Sequence, residues 1–454
     1  MIDHVELREG LYRDSVTLML LTRTLSQDTT ISDPIVAMAT PLNLDLARTA
    51  GYKIPDGSGS QLLIAFRADE DEVALCLERI DDLLSRSLEV TAAHEASDHS
   101  ATSLRRLVTD SQSNIALISV PGEHAAYQAV EAIEAGANPV IFSDNVSIKN
   151  ELALKLEAKN RGLLVMGPDC GTVIVDGVGL GFANVIPAGP IGLISASGTG
   201  AQQVLALCDH AGLGVRHVLG LGGRDLTDEI GAISAHAALS LLEADPTIEV
   251  IGLIAKEVGP ATRQELEKEI SKLSTPVVWV PTEDLTSGTA QLLETASYEL
   301  PSLPVWGSAI ERAPRSGRLV GLFSGGTLAV EAQAIALDLG CEAEIVDLGA
   351  DEYTIGRPHP MIDNTLRLER LAEVSRDKTV GTVLLDVVLG HGASPDPAAE
   401  LQDVLADISV PVFVSLIGTN GDPQNRDLQV TQLTEAGAEV HLSNSSATRA
   451  AAIR

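Results

Sequence analysis

The stretch Ile191-Gly-Leu-Ile-Ser-Ala-Ser-Gly198-Thr-Gly-Ala-Gln-Gln-Val204 runs an apolar strand into a small-residue turn and then an amphipathic helix. Val320-Gly-Leu-Phe-Ser-Gly-Gly326-Thr-Leu-Ala-Val-Glu-Ala-Gln333 does the same again. The echo continues through three further pairs: Val218–Gly222 with Ile345–Gly349, Val250–Ala255 with Thr382–Val387, and Pro276–Val280 with Pro411–Ser415. One period spans about 130 residues, the size of a domain and far longer than a solenoid repeat. A strand that ends in Ser, Gly or Thr and opens a helix leaves free N–H groups at a positive dipole end, a setting for phosphate or carboxylate. The first copy nominates Ser195, Ser197, Gly198 and Thr199 as donors, and the second nominates Ser324, Gly325, Gly326 and Thr327. Gly390-His391-Gly392 makes a third turn at a neighbouring strand end, where parallel sheets place ligands. The plain alternative is that small residues here only permit tight strand-to-helix turns.

Outward from the repeat, strands alternate with helices along the chain, which predicts parallel sheets with helices on both faces. Residues 1–105 read as a small α/β domain, with a helix over Ser15–Leu25, a strand over Gln61–Phe66 and a helix over Glu70–Arg86. A polar stretch, Ala92–Ser103, reads as a linker. Residues 106–187 read as half a Rossmann-type sheet, with strands at Asn114–Val120, Pro139–Phe142 and Gly162–Met166. Residues 188–304 and 317–454 are the two repeated modules.

The bulk composition narrows the partners. The 454 residues carry a net charge of −32, which disfavours nucleic acid and anionic membranes. No apolar run approaches the roughly 20 residues of a membrane span, and the first residues lack a basic-then-apolar leader, so a cytoplasmic location is expected. Four scattered cysteines (Cys76, Cys170, Cys208, Cys341) show no CxxC spacing and point to neither a metal site nor a disulfide framework. Cys170, beside Asp169 and with no histidine next to it, reads as packing rather than as a nucleophile.

The runs Gly167-Pro-Asp-Cys-Gly171, Ile191–Thr199 and Gly220-Leu-Gly-Gly223 resemble the succinyl-CoA synthetase superfamily, and Ser324-Gly-Gly-Thr327 with Gly390-His-Gly392 resembles the ligase domain of its β part. Within that superfamily the chain resembles the FdrA family, through Leu11–Leu20, Met38–Leu44, Gly167–Thr172, Gly181–Val185 and Asp351–Asp363, so the resemblance covers essentially the whole chain. It implies a Rossmann-like, CoA-binding-type domain followed by two flavodoxin-like, ligase-like domains, behind a small N-terminal α/β domain. It also implies an acyl-CoA synthetase-like protein that serves as a subunit of oxamate carbamoyltransferase. That enzyme interconverts oxamate plus carbamoyl phosphate with oxalurate plus phosphate, in the catabolic direction of allantoin and purine degradation. The expected partners are those small anions and two unrelated companion subunits, in an oligomer.

The full CoA-ligase cycle is not expected. The superfamily carries its phosphohistidine late in the first ligase domain, but Thr286–Leu293 here holds no histidine. No glycine-rich CoA loop appears before Asn114 and no nucleotide-binding segment is found, so the sequence requires no cofactor. Two readings stand beside the transferase: an acyl-CoA synthetase-like ligase completed by a separate nucleotide-binding chain, and a non-catalytic scaffold that senses phosphate. Of the single residues, His391 is the histidine best placed to donate to a ligand, and Arg357 can clamp a carboxylate or phosphate in bidentate fashion or pair with Asp351 or Glu352.

Overall fold

The apolar run Ile191–Ser195 is buried at every residue, as is Val380–Val388. Each therefore needs cover on both faces, as strands of parallel sheets do. The computed structural model of the chain contains two such sheets. It describes residues 1–9, 11, 15–26, 30–55, 61–92, 103–309, 316–354 and 357–453. The chain divides into two compact units, Met1–Thr102 with Thr354–Pro358, and Ser103–Tyr353 with His359–Arg454.

The first unit runs β1 (Ile2–Arg8), α1 (Ser15–Ser26), β2 (Ser32–Met38), α2 (Pro41–Thr49), β3 (Leu62–Ala68) and α3 (Val73–Ala92). Its sheet has the order β1-β3-β2, and both outer strands run antiparallel to β3. The expectation of parallel sheets throughout fails here, because β3 is inserted between the two strands that α1 connects. β3 alternates between two small cores. Ile64 and Phe66 pack with Leu18, Leu21 and Ile80, whereas Leu63 and Ala65 pack with Leu44 and Ala47. Most of the predicted linker, residues 93–102, lies outside the described residues.

The second unit opens with α4 (Leu104–Ser111), β4 (Ile115–Ile118), α5 (Gly122–Glu134), β5 (Asn138–Ile141) and α6 (Ile148–Asn160). β4 and β5 pair in parallel. The strand expected over Gly162–Met166 is reduced to one bridge, Met166 to Val140. The Asn138 side chain takes the Leu164 N–H (2.8 Å) in place of a ladder partner. A hairpin follows, β6 (Thr172–Val175) and β7 (Val178–Gly181), and it joins the sheet of the next module.

That module runs β8 (Ile191–Ser195), α7 (Gly198–His210), β9 (Val215–Gly220), α8 (Ile233–Ala244), β10 (Val250–Ala255), α9 (Pro260–Ile270), β11 (Val277–Pro281) and α10 (Leu285–Thr295). After the short β12 (Val305–Trp306) come β13 (Arg318–Phe323), α11 (Gly326–Asp338), β14 (Ala343–Asp347), α12 (Asp351–Thr354), α13 (Thr365–Arg376), β15 (Val380–Val388), α14 (Pro397–Asp407), β16 (Val412–Ile417), α15 (Arg426–Glu435), β17 (Glu439–His441) and α16 (Asn444–Ala452). The sheet orders are β11-β10-β8-β9-β6-β7 and β12-β17-β16-β15-β13-β14. Aligned on β8 and β13, the four strands of the sequence repeat occupy the same places in both, in the flavodoxin-like order.

The two modules share one apolar cluster, built from Leu205 of α7, Leu292 of α10, Leu328 and Ala332 of α11, and Ala447 of α16. A reciprocal pair of caps lies within it. Gln203 and Glu331 are each the sixth residue of their helices, α7 and α11. Gln203 Oε1 accepts the Asn444 N–H at the start of α16 (2.9 Å), and Glu331 Oε1 accepts the Leu285 N–H at the start of α10 (2.8 Å). Each module thus caps the last helix of the other. A buried ion cluster holds α6 to the first module: Lys155 Nζ donates to Glu151 and Asp225, both at 2.8 Å, with all three side chains at most 1% exposed.

Glu331 is fully buried, and desolvation, opposed by its bonds to Asn444 and Leu285, raises its pKa from 4.5 to about 7. A carboxyl raised in the folded state contributes stability that is complete below pH 4.5 and lost as pH climbs through about 7. Thermal unfolding followed from pH 4.5 to 8 should show this loss in the wild type. A Glu331→Gln protein should give a flatter profile over the same window.

Candidate functional site

The two repeated turns lie against each other. Ser197 caps α7, its Oγ accepting the Gly200 N–H at 2.9 Å, and the same Oγ shares a 2.6 Å hydrogen bond with Thr327 Oγ1 of the other module. Gly325 is required at this contact, because a Cβ there would stand 2.8 Å from Thr199 Cγ2. Ser195 turns inward, its Oγ donating to Ser197 O (2.6 Å) and accepting the Ser197 N–H (3.1 Å). Among the described residues, the N–H groups without an acceptor include those that begin a helix: Gly198 and Thr199 on α7, Gly326 and Thr327 on α11.

The second turn departs from the expectation of two equivalent open sockets. Asp386 of β15 is fully buried, and its carboxylate takes the donors of Ser324 and Gly325. Ser324 N and Gly325 N each donate at 2.8 Å, and Ser324 Oγ donates at 3.0 Å. Arg367, only 2% exposed, completes the cage with 2.9 Å to Asp386 Oδ1 and 2.7 Å to its carbonyl. A buried carboxylate must be met by donors, so Ser324 and Gly325 serve Asp386 and are not available to a ligand. In the first turn, among the described residues, no carboxylate takes this place, and Ala196 N donates to Ile254 O at 3.0 Å.

Gly390-His391-Gly392 is a joint between segments. The His391 N–H donates to Ala183 O (2.8 Å) and its side chain is exposed. Gly390 has φ +113° and a Cβ there would strike Ala183 O at 2.6 Å. The neighbouring Asn184 and Val185 are gripped by Asp422 at 2.8 Å each. The motif Gly181–Val185 therefore clamps the segment before the first module onto the second. Arg357 is exposed and falls in the compact unit of residues 1–102. Cys170 is buried, and burial, then Asp169, pushes its thiol up to about 12, as a packing role requires.

Other groups, which the sequence reading passed over, stand at the strand ends. Asp347 closes β14. Its Oδ1 accepts the Gly349 N–H (2.9 Å), and its Oδ2 would lie 2.6 Å from a Cβ on Gly326, at the mouth of α11. Desolvation raises its pKa to about 6, with Asp386 adding to the rise and Lys256 opposing it. Asp169 is also raised to about 6, by desolvation and then Asp144, against Lys256 and Arg224. Its side chain is exposed. His359 Nδ1 accepts the Met361 N–H (3.2 Å), which leaves the proton on Nε2. Burial lowers its pKa to about 4, so it is neutral. The signals available beforehand were the position of Asp347 at a strand's carboxyl end and the place of His359 inside Asp351–Asp363.

With this geometry in view, the similarities fall into place. Over 95% of both chains, the protein is 30% identical to YahF of Escherichia coli, itself uncharacterized. The chain belongs to the YahF family. Residues 322–454 match the CoA-ligase family, and residues 1–101 match the heavy metal-associated domain of AllF. The α2 subunit of an Archaeoglobus fulgidus ADP-forming succinate–CoA ligase is 28% identical over 39% of this chain and 61% of its own length. A dinucleotide-forming acetyl-coenzyme A synthetase from Ca. Korarchaeum cryptofilum is similar over 75% of this chain and 81% of its own, at 15% identity and a TM-score of 0.30. The chain is thus a mixed α/β, CoA-ligase-like protein, and none of the described helices is long and apolar enough to cross a membrane.

Among the described residues, neither a metal ion nor a CoA pyrophosphate meets a matching set of ligands or donors. The one cysteine of the first unit, Cys76, is 2% exposed within its core, and no group of three metal-binding side chains occurs among the described residues. At the β4–α5 turn, where a Rossmann domain cradles pyrophosphate, the carbonyls of Asp144 and Asn145 press on Gly122, offering acceptors where phosphate needs donors.

An anion at the mouth of α11 would meet Asp347, so its binding should depend on pH. Protonation as pH falls through about 6 removes a negative charge beside the open N–H groups. Sulfate, a dianion throughout, should bind the chain about tenfold more tightly at pH 5 than at pH 7.5 in calorimetric titration. Asp347→Asn should bring the affinity at pH 7.5 close to that at pH 5, whereas a pH-independent affinity in the wild type would exclude an anion at this mouth.

Proposed function

We propose that this chain is an FdrA-type subunit of a carbamoyltransferase, holding carbamoyl phosphate and its product phosphate between the two ligase-like modules, with oxamate as acceptor and companion subunits completing the enzyme. The observation that carries this reading is the meeting of α7 and α11. Their first turns, carrying the N–H groups of Gly198, Thr199, Gly326 and Thr327, meet at the Ser197–Thr327 contact, with Lys256 electrostatically coupled to the bordering Asp347. Helix N-termini aimed at a departing phosphate stabilise the charge that develops as it leaves.

In the transfer, the oxamate nitrogen attacks the carbamoyl carbon. The carbon–oxygen bond to phosphate breaks with its electron pair going to phosphate, and the amide proton passes to a base. A carboxylate with its pKa raised toward 6, as in Asp347, suits that base near neutral pH. The catabolic direction reverses each step: a phosphate oxygen attacks the ureido carbon of oxalurate, and oxamate departs with the proton. The segment Thr286–Leu293 lies inside α10 and holds no histidine, consistent with direct transfer and no phosphoenzyme.

The CoA-ligase match favours a second reading, in which an acyl phosphate occupies the same mouth and a separate nucleotide-binding chain completes a ligase. Phosphorolysis of oxalurate by the complex assembled with its companion subunits separates the two. Gly198→Val and Gly326→Val should each lower that rate about 100-fold or more, with thermal unfolding close to wild type. His391→Ala should retain most of it. Full activity in both glycine variants would move the chemistry to another subunit and leave this chain a scaffold. Incubation with labelled carbamoyl phosphate should leave no acid-labile, base-stable label on the protein.

A further inference from the structure

The three-stranded sheet of the first unit has two edges, and they are finished differently. β2 is closed along its outer side. Pro34 removes one N–H, and the strand is irregular between Ser32 and Ile35. Thr22 Oγ1 accepts the Val36 N–H (3.1 Å) and donates to the Val36 carbonyl (3.2 Å), while Asn43 Nδ2 donates to Met38 O (2.8 Å). A proline, a bulge and side chains laid on the backbone keep an edge from recruiting another strand. β1 carries none of these. It pairs with β3 through all seven residues, Ile2–Arg8, without a bulge. Among the described residues no group bonds the backbone on its other side. Val5 and Leu7 pack on the Leu44 core, and on the opposite face the His4 ring lies at a tilt 5.1 Å from Phe66. His4 Nε2 is buried and has no hydrogen-bond partner, with Glu6 Oε2 3.5 Å away. Arg8 takes the other oxygen of Glu6.

We infer that β1 is a dimerisation edge, pairing antiparallel with β1 of a second copy of this chain about a two-fold axis at Val5, so that two three-stranded sheets become one. The axis follows from the side chains. A two-fold perpendicular to the sheet sets each residue opposite one that faces the same way, so the axis must pass through a residue of the strand. Centred on Glu6, it would set two glutamates face to face and His4 opposite Arg8. Centred on His4, it would set His4 against itself and Ile2 against Glu6. Centred on Val5, it pairs the full length of the strand and sets His4 opposite Glu6 twice. Ile2 then lies opposite Arg8, whose aliphatic stem can cover it. On the other face Val5 meets Val5, and Asp3, already held by Arg67, lies opposite Leu7. Of the three registers, this one alone opposes no like charges and gives the unpartnered His4 Nε2 a second carboxylate.

A single strand edge joins less surface than a standard interface, so the full chain is studied at about 100 μM. Salt at about 0.3 M screens the repulsion between two chains of net charge −32. Sedimentation equilibrium should show a dimer in the wild type. Glu6→Lys, which sets lysine against His4 of the second copy, should weaken dimerisation about tenfold. His4→Glu combined with Glu6→Lys re-forms the pairing with the charges exchanged and should restore it. In a Cys341→Ser background, which removes the one cysteine that is not buried, Val5→Cys should form a disulfide between copies on mild oxidation. Leu7→Cys should not, because in this register the two copies of residue 7 stand about 14 Å apart. Near-UV circular dichroism checks that each variant is folded. A monomeric wild type would overturn the proposal and leave the edge to a companion subunit. Unchanged dimerisation in a folded Glu6→Lys protein would also overturn it, as would a cross-link at position 7 equal to that at position 5, or none at position 5. Should the charge-exchanged variant fail to fold, because His4 packs on Phe66, the cysteine variants still decide the register.

Discussion

The second unit is organised around the contact between two helix beginnings. Ser197 and Thr327 share a hydrogen bond, and Thr199 rests on the bare Cα of Gly325, so α7 and α11 start almost face to face. Two positive dipole ends in contact repel each other, and the arrangement persists because the helices behind them are fused in one apolar cluster. Gln203 and Glu331 extend the same relation one layer deeper, each capping the last helix of the opposite module. Neither module could satisfy the start of its own last helix in this way if the two were separated.

The symmetry is broken where chemistry would need it broken. In the second module Asp386 turns the first donors of the socket inward and Arg367 neutralises it, which makes that turn a rigid wall. Burial pulls the Arg367 pKa down, while Asp386, 2.9 Å away, holds it up. The helix starts at Gly198 and Gly326 are free of such a carboxylate cage, and Asp347, its pKa raised toward neutrality, borders the second. The two turns of the duplicated fold are therefore not equivalent.

The rest of the second unit serves to keep that mouth in register. The clamp of Asp422 on Asn184 and Val185, the joint of His391 with Ala183, and the Lys155 cluster that ties α6 to the first module are all buried or partly buried polar contacts between distant segments. Such contacts add little net stability over apolar packing, but losing one partner leaves a buried group unpaired. They therefore hold one arrangement of the segments against its alternatives.

The sequence by itself determined the repeat, the alternation of strand and helix, and the strand-end turns, because these depend on local periodicity and on where small residues must fall. The duplicated strands and the helix starts at Gly198 and Gly326 were legible in this way. Only the tertiary structure decided that β3 lies antiparallel between β1 and β2, that the hairpin of β6 and β7 extends the first module's sheet, and that Gly162–Met166 keeps a single bridge. Pairing partners are chosen across the chain, and side chains such as Asn138 can pre-empt them. Asp386, Asp347 and His359 were hidden for the same reason. Asp386 lies 62 residues from the Ser324 whose donors it fills, and His359 comes after α12 in a stretch of sequence with no periodicity to reveal where it returns. Their roles come from desolvation and proximity, which exist only once the strands are side by side.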